Sequence, residues 1–570
     1  MPRTLSSRSS IDALRREAKR WLKSVSSGDA DAAARFLRAF PGHVGQPKLR
    51  EMQHALAREY GFASWAVLKQ ELEDRARTSA ERVNLFLEKS VNRYGVDPAT
   101  QKWGDYERDG PARGALAARL LARHPHIARE SIHTAVAAHD VDAVRAFLAK
   151  DPGLVHDASA FDGWTPLVRL AYARLPVDGV TDKAIAIATA LLDAGADPEA
   201  GWTDGSNRFP ALVGIIGGGE AGQAEHPAAE RFARLLIARG ADPFAPQALY
   251  NTSLGPDSTF WLDLLWSLSE LRAETSKWTG PAPAELGGEK SKSALSYLLG
   301  NAVPHHMARM RWLLEHGAEA DGVNFYSRAP LIKHALLAGR DDVADVLERH
   351  GATRPQLTNE ERFMAAVASG NLDAIRRLAQ ANPEFLAGHT PMFSAIREGR
   401  TDVAETLLEL GMRPDISDDK NCRALHFCAH CGAVDIARLL IARGAEIDPF
   451  DQRYGGTPLT HAVHNGQAGM VALLAAHSRN FRALCFAGAV ERLRELLVEA
   501  PDRANREDRP GEPALFCLPD DPDKAVEVAE LLLSFGGNPA VRNPLGQTPA
   551  QVARRRGLDD AAALLDDLDG

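Results

Sequence analysis

The feature that most restricts this chain is a repeat of about one helical hairpin's length. Thr390-Pro391-Met392, Arg423-Ala424-Leu425 and Thr457-Pro458-Leu459 open similar segments at positions 390, 423 and 457. Each segment runs on through a glycine and a Leu-Leu pair, and the first two close on a second glycine, Gly411 and Gly444. A chain written in such units cannot gather one central core, because each unit has an apolar face that only its neighbour covers.

The chemistry of the unit predicts two helices. Thr165, Thr390, Thr457 and Thr548 each offer a hydroxyl to cap a helix start, and the prolines that follow suit the first helical position, where no amide donor is needed. The second helix carries Leu191-Leu192, Leu235-Leu236, Leu313-Leu314, Leu407-Leu408 or Leu439-Leu440 and should stop at Gly195, Gly240, Gly317, Gly411 or Gly444. Ala-Asp-Pro at 196–198 and 241–243 then turns the chain away from the helices. A shorter variant recurs from Gly28 to Pro41, His139 to Pro152, Gly370 to Pro383 and Gly488 to Pro501.

A period near 33 with a Thr-Pro-Leu-His-like opening, of which Leu425-His426 keeps the last step, resembles the ankyrin repeat. The phrase from Leu49 to Lys69, with Gln53-His54-Ala55-Leu56-Ala57 and Tyr60-Gly61-Phe62-Ala63-Ser64-Trp65, resembles the N-terminal module of bacterial ankyrin-repeat proteins. Asp97-Pro98-Ala99-Thr100-Gln101, Gln247 to Thr252 and Trp312 to Ala318 resemble further landmarks of that family. The resemblance implies an all-α ankyrin-repeat solenoid, helix-turn-helix repeats with short hairpin loops, preceded by a small helical N-terminal domain. It also implies an interaction protein with no catalytic residues to carry over. Arg423-Ala424 in place of Thr-Pro, and a repeat that reaches His477 without a Gly-Ala-Asp ending, depart from the pattern.

The expected organisation is an N-terminal helical cap domain at 1–78, a helical connector at 79–130 bearing Trp103 and Tyr106, and the solenoid at 131–570. Ile11, Leu14, Ala18, Trp21, Leu22 and Val25 share one helical face, which leaves Arg15, Arg16, Lys19, Arg20 and Lys23 as a solvated face. Between Gly240 and Gly317 the array is longer than two repeats. A Trp-rich insertion near 246–292, with Trp261, Trp266 and Trp278, is therefore expected as a loop on the binding face. Asp566, Asp567 and Asp569 form a polar end suited to a cap.

Composition narrows the function classes. With 570 residues, 45% hydrophobic and a net charge of −9, the chain has a soluble protein's balance and lacks the concentrated basic character of a nucleic-acid binder. No apolar run is long enough to span a membrane, and the Arg- and Ser-rich beginning has no apolar signal core, so a cytoplasmic location is expected. Five cysteines, at 422, 428, 431, 485 and 517, do not make a disulfide framework.

The clusters that suggest chemistry have simpler readings. Cys422, His426, Cys428, His430 and Cys431 offer metal-ligand types, but on one helix Cys428 points nearly opposite His426, so four ligands cannot converge there. Gly214, Gly217, Gly218 and Gly219 lack the Gly-Lys-Ser/Thr ending of a phosphate loop and read as a flexible inter-helix loop. His305 and His306 read as surface residues at a helix start. No zinc-protease or nucleophile-elbow motif occurs. No catalytic, cofactor-binding or metal residue is therefore assigned, and no cofactor is expected.

The candidates for function are aromatic residues at the projecting tips between repeats: Phe161, Trp164, Trp202, Phe325, Tyr326, Phe450 and Tyr454. Aromatic side chains dominate binding hot spots. The expected function is a non-enzymatic scaffold, adaptor or inhibitor that holds a protein partner along its concave face and hairpin tips. An enzyme or small-ligand sensor with a pocket beside Trp261, Trp266 and Trp278 is the alternative.

Overall fold

The computed structural model describes residues 3–6, 9–96, 109–204, 207–220, 222–509 and 512–566. Asp97 to Gln101, Trp103, Tyr106, Asp567 and Asp569 lie outside the described residues. Helix makes up 60% of the described residues and strand 3%, so the architecture is all-α. The strands are two short antiparallel pairs, Gly201–Thr203 with Arg208–Pro210 and Glu507–Arg509 with Glu512–Pro513.

The helices alternate as the repeat chemistry requires. Pro458–His464 is capped by Thr457, whose hydroxyl accepts from the Thr460 N–H, and Pro549–Arg555 is capped in the same way by Thr548. Two expected caps differ. Thr165 has cap geometry but its hydroxyl makes no capping bond, and Thr390 is already helical, behind His389. Gly195, Gly240, Gly317, Gly411 and Gly444 each stand just past a second helix with φ between +86° and +118°. The four shorter variants fold as the helices Ala30–Ala39, Val141–Lys150, Leu372–Ala381 and Val490–Glu499.

The chain forms two compact units, one of Met1–Arg75 with Leu357–Gly570 and the other of Ala76–Gln356. In the first unit a continuous apolar core runs from Phe363 to Leu565, built from the buried faces of successive helix pairs. The N-terminal helices have their own core around Trp21, Met52, Leu56, Trp65 and Leu68, and Leu564 packs against it. They sit on the last repeat through their basic face. Arg15 Nε donates to Asp560 Oδ1 at 2.6 Å, Lys19 Nζ reaches the Ala563 carbonyl at 2.7 Å, and Arg50 pairs with Glu527 at 2.6 Å. The expectation of a solvated basic face is thus corrected for Arg15 and Lys19: Asp559 and Asp560 draw in Arg15, and a backbone carbonyl takes up Lys19, pairings that no local pattern encodes.

In the second unit two expectations also change. The glycine run is no flexible loop, since the Gly219 N–H donates to the Asn251 carbonyl at 3.1 Å and Asn251 Nδ2 donates to Gly217 O at 3.2 Å. A Cβ on Gly218 would lie 2.7 Å from the Asn251 carbonyl oxygen, so glycine is needed there for close approach. The Trp-rich insertion is itself helical, with Pro246–Ser253, Phe260–Leu271 and Ser276–Thr279.

Candidate interaction surface

In the first unit the best-defined tip lies in the connection 443–457, between the helices Val434–Ala442 and Pro458–His464. Asp451 organises it. Its carboxylate accepts from the N–H groups of Arg453 at 2.7 Å, Tyr454 at 2.6 Å and Gly456 at 2.9 Å, and from His461 Nε2 at 2.9 Å. Burial works against the charge, but these four donors hold the Asp451 carboxyl down to about 2. The turn so fixed projects Phe450, 55% exposed, and Tyr454, 75% exposed.

His426 ties this tip to the preceding repeat. Its Nδ1 accepts from the Arg423 N–H at 3.1 Å, which places the ring proton on Nε2 to face the Gly456 carbonyl at 3.2 Å. Burial, and the neighbouring His461 ring, push His426 down to about 4, so it stays neutral. His426, Asp451 and His461 offer ligand atoms within 4.8 Å of one another. Those nitrogen and oxygen atoms are already engaged in hydrogen bonds, and the cluster serves as a clasp between repeats. Sequence reasoning missed Asp451 and His461 because their partner His426 belongs to another repeat, and a search within one helix cannot pair them. Cys428 on the same helix is buried.

In the second unit Asn324 plays a similar part. Its Oδ1 accepts from the N–H groups of Tyr326 and Ser327, both at 3.0 Å, while Nδ2 donates to the Gly300 carbonyl at 3.0 Å. Tyr326 is 66% exposed, and its hydroxyl lies 3.3 Å from that of Tyr297. Phe325 is half-buried, edge-on to both Tyr297 and Tyr326.

The remaining candidates do not face solvent as expected. Trp164 and Trp202 are buried and stack at 5.4 Å, and Trp202 in turn stacks on Phe209 at 4.5 Å across the strand pair. Arg93 lies over the Trp164 ring and, with Arg169, pairs with the buried Asp162 at 2.8 and 2.6 Å. Two large rings gain more by folding back onto this charged cluster than by standing in water. Phe161 is half-buried against the core that contains Phe86, Ile127 and Leu175. Where the alternative reading places a pocket, the rings pack on one another: Trp266 meets Trp278 at 5.4 Å and Trp312 at 5.7 Å, with His316 stacked on Trp312 at 3.7 Å. Trp261 instead turns its indole N–H to Glu225.

A family model described as ankyrin repeats, in three copies, matches residues 413–485, the segment that holds the His426 and Asp451 clasp. These are ankyrin repeats. The B-cell lymphoma 3 protein homolog of Mus musculus is 36% identical over 196 residues, 33% of this chain and 38% of that protein. A putative ankyrin repeat-containing protein of Treponema pallidum is 34% identical over 126 residues, 21% of this chain and 42% of that one. The ankyrin repeat protein nuc-2 of Neurospora crassa is 30% identical over 161 residues, 27% of this chain and 15% of that one. The chain thus spans less than half the length of these relatives. Among solved structures, an ankyrin repeat domain of Acinetobacter baumannii is 22% identical with a TM-score of 0.25, covering 31% of this chain and 97% of that one. No helix among the described residues is long and apolar enough to cross a membrane.

Proposed function

We propose that this ankyrin protein is a non-enzymatic scaffold, adaptor or inhibitor that holds a protein partner against its hairpin tips and the helix face beside them. The observation that carries the reading is the Asp451 turn, which holds Tyr454 and Phe450 in water without leaving the backbone free to move. A pre-ordered aromatic loses little entropy on binding and fits the hot-spot pattern of protein interfaces. Tyr326, fixed by Asn324, is the corresponding anchor in the other unit. Ankyrin repeats serve protein–protein interaction in general, and the N-terminal phrase supports a bacterial member of that class. The odd number of cysteines, all in the C-terminal third, supports a reducing, cytoplasmic setting.

The test begins with a partner captured on the full chain from its native host and identified by mass spectrometry. Such an interface should bury about 1,200–2,000 Å². Replacing Tyr326 and Tyr454 by Ala should cost about 2 kcal/mol or more for whichever residue is an anchor. Unchanged affinity with both tyrosines removed would rule out these tips.

A further inference from the structure

The interaction reading becomes chemically specific where the repeat pattern fails. The helix Ala468–His477 is followed by Phe481–Ala487 with only Ser478, Arg479 and Asn480 between them. The connection before it spans 443–457, and the next contains the turn and strand pair from Pro501 to Pro513. A short connection between two long ones leaves a gap in the row of tips. That gap is a cleft of about 310 Å³ lined by Phe450, Arg479, Asn480, Phe481, Arg503 and Arg506.

Its charge is one-sided. Asp448, beneath the floor, is occupied by the Ser478 hydroxyl at 2.6 Å and by the N–H groups of Arg479 at 2.8 Å and Asn480 at 3.1 Å. Arg479 pairs with Glu499 at 2.7 Å, an exposed contact that a competing carboxylate can replace. Neither Arg503 nor Arg506 has an acidic partner among the described residues. Phe481 is buried in the floor, and Phe450 stands at the wall as an exposed apolar surface. Three guanidiniums beside a phenyl ring suit carboxylates flanking an apolar side chain.

We propose that this cleft binds an acidic peptide segment of a protein partner, with glutamate or aspartate side chains on Arg503, Arg506 and Arg479 and an apolar side chain against Phe450. A peptide fits better than a nucleic acid, because the chain's net charge of −9 repels a long polyanion while a short acidic segment feels mainly the local arginines. The proposal rests on the interaction reading above and deepens it.

The experiment measures fluorescence anisotropy of a fluorescein-labelled, glutamate-rich peptide carrying one leucine, added to the full chain at low salt. Binding should weaken about tenfold or more in the double variant Arg503→Glu, Arg506→Glu, and should fade with added salt. Phe450→Ala should weaken it by about fivefold. A lysine-rich peptide should not bind. The variants' melting temperatures are recorded, and if charge reversal disturbs folding, Arg503→Gln with Arg506→Gln should still weaken binding. Failure of the glutamate peptide to bind, equal binding by a folded arginine variant, or tighter binding of single-stranded RNA would each overturn the proposal. A captured partner that depends on Tyr326 and Tyr454 but ignores the arginine changes would remove the cleft and keep the interaction reading. The reverse pattern would keep the cleft and rule out the tyrosine tips.

Discussion

Asp451 shows how a single residue can set both order and exposure. Replacing it by Ala leaves three backbone N–H groups and His461 without their acceptor, and should cost about 2 kcal/mol in local stability. Hydrogen exchange at Arg453, Tyr454 and Gly456 is the direct measurement, and little change there would contradict the role. Because the folded carboxyl titrates below its ordinary value, its contribution is present above about pH 4 and lost as pH falls through about 2. His139 is the opposite case. It occupies the turn between Ile132–Ala137 and Val141–Lys150 with φ of 55°, where the corresponding turn at Gly466 has φ of 65°. Its ring is buried. His139→Gly should therefore raise stability by about 1 kcal/mol, measured by chemical denaturation. A loss instead would mean that the imidazole's packing outweighs its strain.

Helices in this protein end where a left-handed residue is inexpensive and pack where the next pair covers them. Gly444, at φ of 86°, closes Val434–Ala442, and no atom lies within 4 Å of where a Cβ would stand. The penalty of Gly444→Val is therefore one of backbone conformation, about 1–2 kcal/mol or more for a β-branched side chain. In a repeat array, stability is a sum of local units and their interfaces, so the loosening should stay near residues 424–464. Hydrogen exchange should show protection lost on the helices Ala424–Cys431, Val434–Ala442 and Pro458–His464. Uniform loss along the chain would count against this near-neighbour picture.

On the scale of the molecule, the N-terminal helices meet a need that any repeat array has, a cover for its last apolar face. Arg15 and Asp560 are both 11% exposed in their side chains and 2.6 Å apart. Removing either one should cost about 2 kcal/mol, because the partners that remain, Asp12 and Asp559 for Arg15 and the Trp65 indole for Asp560, are all farther away in a poorly hydrated contact. A double-mutant cycle on Arg15→Ala and Asp560→Ala would test this, and zero coupling energy would refute it. Acid should weaken the protein as a whole. Burial holds His139 down to about 4, and burial with the neighbouring His461 does the same for His426. A histidine kept neutral in the fold costs nothing electrostatic above about pH 6.5, but as pH falls from there to about 4 the unfolded chain takes up a proton that the fold resists, which destabilises the fold by roughly 2–3 kcal/mol for each ring. The midpoint of urea unfolding should fall across that window, and a flat profile would contradict the assignment.

The repeat period, the glycine stops and the Thr-Pro starts were readable because each depends on a few neighbouring residues. Thr457, Thr548 and Gly444 act through backbone atoms within about one helical turn, and those interactions travel with the sequence. The identity of the exposed aromatics did not travel in that way. Trp202 and Tyr454 both follow a helix pair and look alike in sequence, but Trp202 meets Trp164 and Phe209 across a strand pair, while the Asp451 turn leaves Tyr454 in water. Arg15 likewise looks like any exposed basic residue until Asp560, far along the chain, is brought beside it. Local chemistry set the units and their ends. Which side chains are buried, paired or offered to a partner depended on contacts between distant segments, and only the tertiary structure decided those.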